Sequence, residues 1–206
     1  MLLFEEKVTQ NRSDFVDRVK KLASTFRINP NWLMALMNSE TGGTFKSNIY
    51  NFGGSGAVGL IQFMPATAKA MGTTTSALAS LSNVEQLDWV EKYLKMQLGY
   101  TKMKQIADYD DLYFLVFYPA AVGKPDDYVI PLYGKAYDQN KGIDMNQDGK
   151  ITVADFKQFI HKNIPATQYV TFMTQKQYRY GILIFVGVVL GFMGWGLWVF
   201  REKLEG

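Results

Sequence analysis

Residues 29–72 read NPNWLMALMNSETGGTFKSNIYNFGGSGAVGLIQFMPATAKAMG, and this stretch decides the fold. Asn29-Pro30 is an N-cap followed by a proline at the first helical position. A helix then runs through Trp32, Leu33, Leu36 and Met37 to about Glu40. Six glycines follow (Gly42, Gly43, Gly53, Gly54, Gly56 and Gly59), a density that means loop. Pro65 opens another helix through Ala68 and Met71. Within the first helix, Leu33, Leu36, Met37 and Glu40 sit at i, i+3, i+4 and i+7. That spacing puts a carboxylate on the apolar face, at the last turn. Burial and the helix dipole both disfavour charge there and push the carboxyl pKa up. A carboxyl protonated near neutral pH is what a general acid needs. Spacing alone leaves open that Glu40 turns out to solvent.

The flanking sequence reads mainly helical. Phe15, Val16, Val19, Leu22, Ala23 and Phe26 recur at helical spacing, with Ser13 as the expected cap. Ser82 and Glu85 form a capping box before an amphipathic helix from Val84 to about Leu98. The apolar run Leu112–Tyr118 fits helix or strand, and its context favours helix.

Two pieces of this sequence, Ser39-Glu40 at a helix end and Gly59-Leu60-Ile61-Gln62-Phe63-Met64-Pro65-Ala66-Thr67-Ala68, resemble the lysozyme-like lytic transglycosylase family. A third family element, an aromatic helix ending in Tyr-Asn-Ala-Gly, is matched loosely by Phe117-Tyr118-Pro119-Ala120-Ala121. The resemblance covers roughly residues 28–130, and residues 73–94 are similar to phage and prophage members. It implies a lysozyme-like fold and cleavage of the β-1,4 bond between N-acetylmuramic acid and N-acetylglucosamine in peptidoglycan. Glu40 matches the catalytic acid/base, which protonates the leaving oxygen and then deprotonates the muramoyl 6-hydroxyl to close a 1,6-anhydro ring. That chemistry needs one carboxylate rather than the usual pair. Gln62 and Met64 match positions lining the sugar cleft, and Tyr118 matches the tyrosine that helps hold the acid. Pro119 and Ala121 depart from the family's Asn and Gly, so the loop after Tyr118 must differ. Were water the acceptor, the same site would be a lysozyme; Asp126 or Asp127 could serve that water, though no spacing favours them. A non-catalytic glycan-binding scaffold is the reading from another class.

Residues 144–155, DMNQDGKITVAD, read as a twelve-residue calcium loop. Asp144, Asn146 and Asp148 take positions 1, 3 and 5, with Gly149 at the sharp turn. Lys150 offers its carbonyl at position 7, Thr152 stands at position 9 and Asp155 at position 12. The departure is Asp rather than Glu at position 12. Ile151 is the apolar plug, and Phe156, Phe159 and Ile160 continue an apolar helix face. A structural calcium ion is expected to brace this segment, with His161 on the helix surface.

Residues 180–200, YGILIFVGVVLGFMGWGLWVF, form 21 residues without a charge. They are long enough to cross a hydrocarbon core of about 30 Å. Interfacial aromatics stand at both ends, and Gly187 and Gly191 make one GxxxG. Lys176, Arg179, Arg201 and Lys203 flank both sides and give no orientation. The N-terminus, MLLFEEKVTQ, does not read as a secretory signal. The expected organisation is a catalytic domain at 1–135, a calcium-loop segment at 136–163, a connector at 164–178, a transmembrane helix at 179–201 and a charged tail at 202–206. An anchor without an export signal, beside a phage-like stretch, suggests a single-pass protein of a phage virion that opens the cell wall at infection. The bacterial cytoplasmic membrane is the alternative. Expected partners are peptidoglycan strands, lipid, and other virion membrane or capsid proteins.

Composition narrows the chemistry by exclusion. The 206 residues hold no Cys and one His, which excludes disulfides, thiol nucleophiles and thiolate metal sites, along with most His-based triads. A net charge of +3 gives no nucleic-acid footprint. Mean hydropathy of −0.09 averages a polar body with one apolar run.

Overall fold

The computed structural model describes residues 1–169 and 172–173. The described chain is mainly helical, with the α-helices named below, three short 3₁₀ turns and a further helical stretch at 166–169. The helices are α1 (Arg12–Phe26), α2 (Pro30–Glu40), α3 (Pro65–Ala70), α4 (Thr75–Ala79), α5 (Asn83–Thr101), α6 (Tyr109–Phe117), α7 (Lys135–Asn140) and α8 (Val153–His161). Extended pairing among the described residues is confined to isolated bridges, such as Tyr50 with Val58 and Val58 with Phe63.

Local signals explain most helix ends. Asn29 accepts a hydrogen bond from Asn31 N–H and Pro30 opens α2. Ser82 and Glu85 close a reciprocal capping box on α5. Helix α1 differs from expectation. It starts at Arg12, so Ser13 lies inside it, and its N-cap is Asn11 in the left-handed region with no side-chain cap bond. The Asn11 side-chain amide instead donates to Asn83 at the start of α5.

Helix α2 is the centre of the molecule. Six consecutive residues, Trp32 to Met37, are buried, so the helix is covered all round rather than along one stripe. Helices α1 and α6 pack against it, and α5 packs against α1 and α6. The loop from Thr41 to Met64 returns over the end of α2. One position in it admits no side chain: Gly59 has φ +80°, and a Cβ there would lie 2.2 Å from Gln86 Oε1. Gln86 is fully buried, accepts from Leu60 N–H, and donates to the Ser47 and Leu78 carbonyls. It locks the loop onto α5 and α4.

The segment after residue 135 is not set apart from what precedes it. Phe156 of α8 stacks on Phe117 at 4.4 Å and meets Phe114 and Tyr113 of α6, all within one continuous core. His161, expected at the surface, is partly enclosed: its Nε2 lies 2.6 Å from Asp110 Oδ1 and its ring packs edge-on against Tyr109. Part of the expected connector also docks. Phe172 is buried against Tyr109, and its carbonyl accepts from Trp32 Nε1–H at 2.8 Å. The apolar run at 180–200 lies outside the described residues; among those described, no helix is long and apolar enough to cross a membrane.

Candidate active site

Glu40 is the last residue of α2, at the mouth of a cleft of about 780 Å³. The helix ends there because Thr41 leaves helical geometry, and its hydroxyl turns back to the Met37 carbonyl at 2.6 Å. One wall of the cleft comes from the loop residues Asn51, Gly53 and Ser55. Gln139, Asn140 and Ile143, just before the predicted calcium loop, line it as well. Aromatic residues of α6 and α8, Phe117, Phe156 and Phe159, also line it.

The Tyr113 hydroxyl donates to Glu40 Oε1 at 2.6 Å and lies 2.9 Å from the Ser39 hydroxyl. Glu40 keeps some surface open to the cleft, but its carboxyl is otherwise enclosed by α2 and α6. Burial pushes its pKa above the ordinary glutamate value, and the Tyr113 bond opposes part of that rise. Burial also holds the Tyr113 hydroxyl well above its usual range, so it stays a proton donor at any ordinary pH.

Tyr113 corrects one expectation. The tyrosine bonded to the acid is not Tyr118 but the residue five positions earlier, inside α6 rather than after it. Tyr118 lines the cleft without a hydrogen bond to Glu40 among the bonds described. Pro119, the next residue, opens a 3₁₀ turn. A signal for Tyr113 was present in the sequence: Tyr109 and Tyr113 stand four apart on an aromatic helix, where they share a face.

Gln62 and Met64 both line the cleft. Gln62 sits at φ +51°, and its side-chain amide donates to the Ile49 and Gly59 carbonyls, so it fastens the loop while bordering the site. Met64 is 46% exposed, which a purely packed methionine is not. Among the described residues lining the cleft, Glu40 is the only acid. Asp126 and Asp127 do not line it, and Asp126 pairs instead with Lys157 at 2.7 Å.

The loop 144–155 folds around its own acids. Asp144 accepts from the backbone N–H groups of Asp148 and Gly149 and from the Tyr137 hydroxyl. Its pKa is lowered, chiefly by the Tyr137 bond. Gly149 turns at φ +84°. Asp148 accepts from Lys150 N–H, and Asn146 from Asp148 N–H. Asp155 caps α8 through Thr152 N–H and reaches across the loop to Met145 N–H. The second half of the loop pairs with residues 126–130, with Ile130 N–H donating to the Ile151 carbonyl at 2.8 Å. The donor set is all oxygen, which suits a hard cation. Among the described residues no group of three or more His, Cys, Asp or Glu side chains is gathered as a metal site.

Residues 17–111 match the family described as Transglycosylase SLT domain. No curated protein and no solved structure matches the chain. The matched segment contains α2 with Glu40, the Gly59–Ala68 stretch and all of α5; Tyr113, Tyr118 and the loop 144–155 lie beyond it. Residues 17–111 are thus similar to the transglycosylase SLT domain, a family whose members are lytic transglycosylases that cleave peptidoglycan.

Proposed function

We propose that Glu40 is the single general acid/base of this enzyme and that the product carries a 1,6-anhydro ring. The observation behind this reading is one enclosed carboxyl, its pKa raised by burial, in a cleft whose described lining holds no second acid. Hydrolysing glycosidases use two carboxylates, one to protonate the leaving oxygen and one to assist water or attack the sugar. With one acid, the same carboxyl performs both proton transfers. Protonated Glu40 donates to the glycosidic oxygen as that bond breaks. The resulting carboxylate takes the proton of the muramoyl 6-hydroxyl as its oxygen bonds to the anomeric carbon, and Glu40 returns to its starting form. Tyr113 holds Oε1 in place through both steps. Gln62, Met64 and Tyr118 contact the glycan strand.

Further parts of the proposal rest on sequence. A calcium ion held by Asp144, Asn146 and Asp148, the Lys150 carbonyl, Thr152 and Asp155 fastens α8 behind the cleft; it supplies a fixed positive charge for structure, and no proton transfer involves it. Residues 180–200 anchor the protein in a membrane, and the protein travels in a phage virion. Finding it only in infected-cell lysate, with none in purified virions, overturns that placement.

The deciding experiment digests purified sacculi with the protein and with Glu40→Gln, and weighs the products. Anhydro-muropeptides released by the wild type and lost at least about a hundredfold in Glu40→Gln support the proposal. Reducing-end products make the enzyme a hydrolase. Release equal in the two proteins removes Glu40 from the chemistry.

A further inference from the structure

A second hollow of about 440 Å³ lies beside the Glu40 cleft, between the last turns of α5 and the Pro119–Ala121 turn. Met96, Gln97, Tyr100, Tyr118, Pro119 and Ala120 line it. Tyr118 lines both hollows, so the two share a wall and form neighbouring parts of one surface. The lining has the mix that a saccharide ring requires. Tyr100 is 74% exposed and presents an aromatic face. Gln97 supplies amide polarity. Met96 and Pro119 supply apolar contact. The turn that builds one side is the stretch where the sequence departs from the family motif. Pro119 starts a 3₁₀ turn, and Ala121 N–H donates to the Tyr118 carbonyl at 2.9 Å. The hollow therefore belongs to this chain's own version of the loop. An exposed aromatic at the edge of a substrate cleft has a ready use when the substrate is a polymer longer than the cleft. Sugar rings carry C–H faces that pack on aromatic rings, and a polymer already held at Glu40 reaches the next hollow at little further entropic cost.

We propose that this hollow is an additional saccharide site, taking a sugar of the same glycan strand beyond those in the Glu40 cleft, with Tyr100 as its stacking platform. The inference rests on the reading that the Glu40 cleft binds a glycan strand. Its test needs no catalysis. Peptide-free glycan strands of graded length are titrated calorimetrically into the full chain carrying Glu40→Gln. The same titration is run on that variant with Tyr100→Ala added, and again with Tyr100→Phe. In the parent, affinity rises with strand length once the strand spans both hollows. Tyr100→Ala removes about three- to tenfold of that rise, and Tyr100→Phe retains it. Circular dichroism confirms that the exposed substitution leaves the fold intact. A length dependence unchanged by Tyr100→Ala, or a loss of equal size for every strand length, overturns the inference while leaving the Glu40 reading standing. If the Glu40→Gln chain binds no strand of any length, the function reading fails and takes this inference with it.

Discussion

Glu40 and Asp144 are both carboxylates, and both stand on segments that border the same cleft. Their surroundings push them in opposite directions. Glu40 ends a helix buried on every side and has one hydroxyl partner, so water is withdrawn faster than hydrogen bonds replace it. Its charged form is disfavoured and its pKa is raised. Asp144 sits at the start of a polar turn, with two backbone N–H groups and the Tyr137 hydroxyl aimed at its oxygens. Its charged form is favoured and it keeps its electron pairs. One environment makes an acid able to give up a proton; the other makes a donor suited to a cation. The residue types are nearly the same, so the difference lies in the balance between lost water and gained hydrogen bonds.

The two regions meet at Phe156, and the largest expected effect comes from removing it. Phe156→Ala deletes the ring stacked on Phe117 and packed against Tyr113 and Phe114. It should destabilise the protein by about 3–5 kcal/mol in chemical denaturation. A loss below about 1 kcal/mol would mean that the loop segment and the catalytic helices are energetically separate after all.

Next in size is the response to calcium. At a hundredfold excess over its dissociation constant a bound ion adds about 2.7 kcal/mol. Calcium should therefore raise the melting temperature of the wild type and leave an Asp144→Ala, Asp148→Ala double variant unmoved. Equal curves with calcium and with chelator would remove the cation half of the comparison.

Tyr113→Phe sharpens the acid half. It deletes the one hydroxyl on Glu40 without disturbing the ring packing. The rate of glycan cleavage should fall about tenfold, close to 1.4 kcal/mol of barrier. Because the lost bond was lowering the Glu40 pKa, the alkaline limb of the pH–rate profile should move to higher pH. A rate loss with an unmoved profile would limit Tyr113 to positioning.

The smallest effect is on stability. Glu40 binds its proton more tightly folded than unfolded, so folding takes up a proton as pH rises above the ordinary glutamate value of about 4.3. Stability is thus full at lower pH and is lost progressively as pH climbs through the raised folded value. Glu40→Gln removes that loss. Its melting temperature should exceed the wild type's at pH 7, and the excess should vanish in scans at pH 4 and below. An excess that persists at low pH would mean that burial of charge is not its source.

Much of this molecule was legible in its residues. Caps at Asn29 and Ser82, the proline starts and the glycine-dense loop are local signals, and the helices begin where those signals say. Glu40 was legible because helical spacing and chain order both single it out. The bond from Asn11 was not, since its partner Asn83 is distant in sequence. Nor was the bond from Tyr113 to Glu40, which spans 73 positions and depends on how α6 crosses α2. Gln86 is a plain polar residue in a helix until folding brings Gly59 against it. The packing of α8 on α6 was not legible either, since Phe156 and Phe117 are distant in sequence.

By itself, the sequence determined the helical class, the caps and breaks, the acid at 40, the turn chemistry of 144–155 and the charge-free run at 180–200. Each of these is set by neighbours a few residues away, through periodicity, backbone preference or hydrogen bonds within a turn. Tertiary structure alone decided which tyrosine touches the acid, which residues wall the cleft and that α8 closes it from behind. Those outcomes depend on distant surfaces packing at a particular angle and depth, and burial, which raises the Glu40 pKa, exists only once they have packed.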